Sequence, residues 1–158
     1  MFHLPFRRAA VDFVLVTSMA ENHDKYGKAV LKAAFPEEFD ARPIRVHFDE
    51  TLRDAGTATI DGRIGDDIAV EVESRVSKQV RGALLDLALH SYEKKLMVII
   101  RKHGNRYTAP QCRVLLRRLC PESRFEVVEL DGHGGQQEEH FHADVEKIRT
   151  AVMKLRAV

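Results

Sequence analysis

Leu96-Met97-Val98-Ile99-Ile100 is an unbroken apolar run. A strand with one wet face alternates apolar and polar residues, whereas a strand covered on both faces reads as continuously apolar. The run is far shorter than the ~20 residues that cross a bilayer. It therefore predicts the inner strand of a sheet with covers on both sides. Nearby segments can supply those covers. Val76, Val80, Ala83, Leu84 and Leu87 recur at helical spacing, so a helix is expected from a Ser77 cap to about His90. Leu85 and Leu89 widen its apolar face, which predicts cover on both sides of the helix. Gly82 sits mid-helix. Glycine there costs ~1 kcal/mol against alanine, which suggests a close backbone approach. A basic helix from Pro110 to Leu119 follows, then a strand from Arg124 to Leu130. A closing helix from Glu139 to Arg156 has Val145, Ile148, Val152 and Leu155 on one side.

Upstream, Ser18-Met19-Ala20-Glu21 has capping-box spacing and predicts a helix through about Lys32, stopped by Pro36. Phe13 to Thr17 has strand composition, although Arg7 to Val16 also reads as helix. Ile44 to Phe48, Thr57 to Asp61 and Ile68 to Glu73 are strand candidates. Turn residues from Asp61-Gly62 to Gly65-Asp66-Asp67 join the last two as a hairpin. The 158 residues (1–158) are expected to form one α/β domain, a mixed sheet with helices on both faces. Hydrophobic residues at 44% and charged residues at 31% exclude a disordered chain and a collagen-like repeat. Cys112 and Cys120 lie on the basic helix region without a C-x-x-C, as free thiols would. Asp12 breaks the apolar stretch near the N-terminus, so no signal peptide is read and the expected location is cytoplasmic, with no membrane partner.

The net charge of +1 hides a segregation. Residues 1–73 carry net −5, residues 74–118 net +9 and residues 119–158 net −3. Sixteen of the 25 basic residues are Arg, the better fork for phosphate. The acidic segment ends in Asp61 and then Glu71-Val72-Glu73. On a strand, Glu71 and Glu73 share a face opposite Ile68, Val70 and Val72, and by default that face looks to solvent. Asp61, ending the neighbouring strand, can meet Glu71. Clustered carboxylates repel and want a cation, and oxygen-only ligands suit Mg²⁺ or Mn²⁺. Ser74-Arg75-Val76-Ser77-Lys78-Gln79-Val80-Arg81 comes next and places cations at a helix start, where anions are favoured. Metal-binding acids beside phosphate-binding cations suit phosphodiester cleavage.

The order of a helix, a strand hairpin with Asp61, Glu71-x-Glu73 and a helix opening with Gln79 resembles the PD-(D/E)XK nuclease superfamily over roughly residues 18–130. The resemblance implies a restriction endonuclease-like αβββαβ core, here with an added βα extension. It implies a metal-dependent endonuclease acting on DNA, with Asp61 and Glu71 holding Mg²⁺ or Mn²⁺. Glu73 stands where the family usually has its catalytic Lys, and Lys78 is a candidate migrated lysine. Gln79 matches a glutamine often found at that helix start, and Glu21 resembles an accessory acidic position. Arg75, Arg81, Arg101, Lys102, Arg106, Arg113, Arg117 and Arg118 are the expected phosphate contacts. One small domain cuts one strand per site, so double-strand cleavage would need a homodimer or a partner subunit. The missing Lys leaves an alternative: an inactive nuclease-fold protein that binds nucleic acid or a protein partner.

Weaker patterns stand beside these. Asp66 and Asp67 read as turn residues, though either could replace Asp61. His140-Phe141-His142, with His133, Glu138 and Glu139, could hold a transition metal on a strand, but a helix would make the pair diverge. His103-Gly104-Asn105 follows the inner strand, where α/β sheets bind ligands. Gly132-x-Gly134-Gly135 lacks dinucleotide-binding spacing.

Overall fold

The computed structural model describes residues 24–46, 57–75, 78–101, 109–134 and 138–157. The expectations for Phe13 to Thr17, Ser18 to Glu21, Ser77 and His103 to Asn105 lie outside these residues. A helix over residues 24–34 is α1. The strands are β1 (Phe39–Asp40), β2 (Ile44–Val46), β3 (Ala58–Ile60), β4 (Gly62–Ile64), β5 (Ile68–Glu73), β6 (Lys94–Ile100) and β7 (Arg124–Leu130). The other helices are α2 (Lys78–Leu89), α3 (Ala109–Leu119) and α4 (Glu138–Arg156). Five strands form one sheet in the order β1-β4-β5-β6-β7. β4 runs antiparallel to β1 and β5, while β5, β6 and β7 are parallel. The sheet is mixed and flanked by helices, as expected.

Leu96 to Ile100 is buried throughout. Leu96, Val98 and Ile100 pack with Val70 and Val72 against Val30 and Leu31 of α1 and Ile148 and Val152 of α4. Met97 and Ile99 pack with Ala69 against Leu84 and Leu87 of α2 and Cys112 and Leu116 of α3. The small β2–β3 sheet joins that second layer through Val46 and Ile60. At the start of β6, Lys95 is buried yet satisfied. Its Nζ donates to His90 O and Tyr92 O, both at 2.7 Å, which ties off the chain leaving α2. Both cysteines are free and buried, and burial pushes the Cys112 thiol up to about 11. Among the described residues no helix is long and apolar enough to cross a membrane.

Two expectations about local structure fail. The hairpin partner of Ile68–Glu73 is Gly62–Ile64, read from sequence as a turn. Ala58–Ile60 instead pairs with Ile44–Val46. A Cβ on Gly62 would lie 2.3 Å from Asp40 O, so the β1–β4 backbone approach selects glycine inside a strand, where it imitates a turn signal. The true turn starts at Gly65, whose φ of 59° is left-handed. The second failure is α2. Leu85 and Leu89 are 45% and 41% exposed, so only one face of α2 is covered. Among the described residues nothing lies within 4 Å of where a Gly82 Cβ would sit, so none of them makes the close approach expected at that glycine. Gly82→Ala should therefore stabilise the protein by about 1 kcal/mol. A urea titration checks this: the midpoint should rise with unchanged slope.

Candidate functional site

Asp61 sits where the chain leaves the small sheet and enters the main one, between β3 and β4. Its carboxylate and that of Glu71 interlock through the backbone. The Asp61 N–H donates to Glu71 Oε2 at 3.0 Å, and the Val72 N–H donates to Asp61 Oδ2 at 2.9 Å. The predicted meeting of these two acids is thus present. The other Asp61 oxygen, Oδ1, lies 2.7 Å from Lys28 Nζ of α1. Gly27 permits this approach: a Cβ there would lie 2.6 Å from Val72 Cγ1, so the helix can lie directly on β5.

Glu71 and Glu73 are buried, not solvent-facing as their alternation suggested. Helix α2 and the small sheet cover their side of β5. Burial, then the neighbouring Asp61 charge, pushes the Glu71 carboxyl up to about 9. Glu73 is 1% exposed and engaged at both oxygens. Arg75 donates its backbone N–H to Oε1 at 2.7 Å, with Nε to Oε1 at 2.9 Å and Nη2 to Oε2 at 3.0 Å. Glu73 is therefore turned onto its own chain. Asp24 of α1 accepts from Ser74 Oγ at 2.9 Å, and its carboxyl is raised by burial and by Glu73 and Asp61.

Four carboxylates thus gather at the C-terminal end of β5, against two cations, Lys28 and Arg75. Sequence reasoning missed Asp24 and Lys28. They stand i, i+4 on one helix face with Gly27 between them, and that spacing was the available signal.

Among the described residues, no three His, Cys, Asp or Glu side chains are grouped closely enough to hold a metal ion. The three-acid cluster of Asp61, Glu71 and Glu73 thus reduces to the first two. The donor chemistry of that pair still fits a hard cation. Mg²⁺ commonly uses one or two protein carboxylates and takes its remaining ligands from water and phosphate.

Lys78 and Gln79 open α2 and are exposed. Arg81 lies one turn further on and is exposed too, and Arg101 follows β6 at the same sheet end, with Nε 3.5 Å from Glu129 Oε1. Arg113 is turned inward and donates to Val127 O. Arg117 and Arg118 end α3, which runs back against the parallel strands, so they stand at the opposite end of the sheet from Asp61. Glu21, Lys102 and Arg106 lie outside the described residues. Asp66 and Asp67 occupy the far turn and pair with Arg63 and Lys94. His140 and His142 both lie on α4, where i and i+2 diverge. Comparison of the chain with family models, curated proteins and solved structures returns no match.

Proposed function

We propose that this protein is a metal-dependent endonuclease that hydrolyses DNA phosphodiester bonds. One observation carries the reading: the interlocked Asp61–Glu71 pair, in a cluster with two more acids than cations, beside the cationic opening of α2. A buried acid that keeps its proton beside a second carboxylate would exchange that proton for a divalent cation. Asp61 and Glu71 would hold Mg²⁺ or Mn²⁺, which when bound polarises a phosphoryl oxygen and acidifies water. Arg75, Lys78, Gln79, Arg81 and Arg101 lie at the same sheet end and would hold the phosphate backbone. Arg117 and Arg118, at the other end, are left out of that track. Lys28 neutralises Asp61 and, with the Val72 N–H, fixes its carboxylate. Counting only the strands of the main sheet, the order is α1-β1-β4-β5-α2-β6. That matches the αβββαβ order of the restriction endonuclease-like core and supports the resemblance, with α3, β7 and α4 as the extension.

The test is nicking of supercoiled plasmid with Mg²⁺ or Mn²⁺. Wild type should cut, and Asp61→Ala and Glu71→Ala should not. Cleavage surviving both substitutions would sink the assignment. A second reading, nucleic-acid binding without cleavage, is favoured by the Glu73–Arg75 fork, because it occupies the acid that takes the place of the family lysine. It predicts salt-sensitive DNA retention with no metal-dependent nicking.

A further inference from the structure

We propose that the outer edge of β7 is a guarded edge: Arg113 and Lys147 occupy the backbone carbonyls through which a strand of a second copy would add. Among the described residues, β7 ends the main sheet and has β6 as its one neighbour. The Arg124 N–H donates to Glu93 O at 3.0 Å, and Leu130 O accepts from the Arg101 N–H at 3.3 Å. Arg124 and Leu130 thus face β6, and by alternation so do Glu126 and Val128. Phe125, Val127 and Glu129 turn their N–H and C=O outward.

A groove of about 660 Å³ lies along this edge between α3 and α4, over Val127 and Val128. It lies where a further strand would run. Side chains from both helices reach into it. Arg113 of α3 donates from Nη2 to Val127 O at 2.6 Å. Lys147 of α4 donates from Nζ to Glu129 O at 3.2 Å. Beyond the strand, Asp144 accepts the Asp131 N–H at 3.1 Å. Two successive outward carbonyls and the next outward N–H are therefore already bonded. Open edges template pairing with other chains, and charged side chains are a common block. The two caps come from opposite faces of the sheet, so neither helix alone seals the edge.

Without the caps, β7 would pair antiparallel with its copy, Val127 opposite Val127. The experiment compares wild type with Arg113→Ala/Lys147→Ala by light scattering across a concentration series, with amide exchange at Val127 and Glu129. The wild-type mass should not change with concentration, and both amides should exchange quickly. The double variant should approach twice the mass as it is concentrated, with both amides protected. A folded double variant of unchanged mass overturns the proposal, as do protected Val127 and Glu129 amides in wild type. Lys147 also contacts Asp144, so the double variant can lose its fold. Arg113→Ala alone then decides: its mass should rise with concentration, and Arg113→Lys should reverse that rise. A folded Arg113→Ala protein that does not associate overturns the proposal equally.

Discussion

Asp144→Ala should destabilise the protein by roughly 3 kcal/mol, since several buried hydrogen bonds lose their acceptor at once. Asp144 is fully buried. It accepts from Tyr26 Oη of α1 at 2.9 Å, from the Gly132 N–H at 2.9 Å, from the Asp131 N–H at 3.1 Å and from Lys147 Nζ at 2.9 Å. One carboxylate thus joins α1, α4 and the chain leaving β7. Removing it leaves the buried Gly132 N–H without an acceptor. Gly132 packs so closely that a Cβ would lie 2.0 Å from Tyr26 Oη, which holds this turn against α1. Burial by itself would raise the Asp144 carboxyl, but the bonds from Gly132, Lys147, Asp131 and Tyr26 outweigh it and hold it below its ordinary value. The folded pKa is depressed, so this stabilisation is present above the unfolded value of about 3.9 and fades as pH falls through the folded one. Chemical denaturation at neutral pH measures the loss. Acid titration should show wild type converging on the variant at the lowest pH. A difference that persists unchanged into strong acid would mean that the carboxylate charge is not the source.

The sheet interior was legible because its signal is dense. Ile68–Glu73 and the run through Ile100 have the residues and periods that buried strands require, and their boundaries differ from the expectation by at most two residues. β1 and β4 were not legible. They have two and three residues, shorter than any period can register, and β4 opens on a glycine selected by backbone contact. The acid pair was legible because Asp61 and Glu71 are close along a hairpin. Its counterions were only half legible. Arg75 is a chain neighbour of Glu73, but Lys28 reaches Asp61 from 33 residues away through helix docking that Gly27 permits. Arg113 shows the reverse error. It was read with the exposed phosphate contacts because composition reports charge and not direction, whereas its guanidinium is committed to Val127 O.

The site's electrostatics lead to the second large effect, of opposite sign. Glu71→Gln should stabilise the metal-free protein at neutral and alkaline pH while removing a proposed metal ligand. The Glu71 carboxyl titrates at about 9 in the folded protein, against an ordinary 4.5, because it is buried beside Asp61. The folded state therefore holds the proton more tightly than the unfolded chain does. The sign follows: Glu71 contributes its full stability below pH 4.5 and loses it progressively as pH rises to about 9. By pH 7 the loss is about 3 kcal/mol. Glutamine keeps the shape and the acceptor for the Asp61 N–H, and it carries no charge to bury. Thermal melts in chelator across this pH range should show a falling wild-type melting temperature and a flatter Glu71→Gln profile, with the variant ahead at pH 8. Lys28→Met should move the other way, since it strips Asp61 of its ammonium partner and leaves Glu71 facing a less neutralised neighbour. Parallel wild-type and Glu71→Gln profiles would mean that Glu71 does not hold its proton through neutrality. A carboxylate that destabilises its own fold, in a place where an amide would serve the structure better, is what a site built to receive a cation would carry.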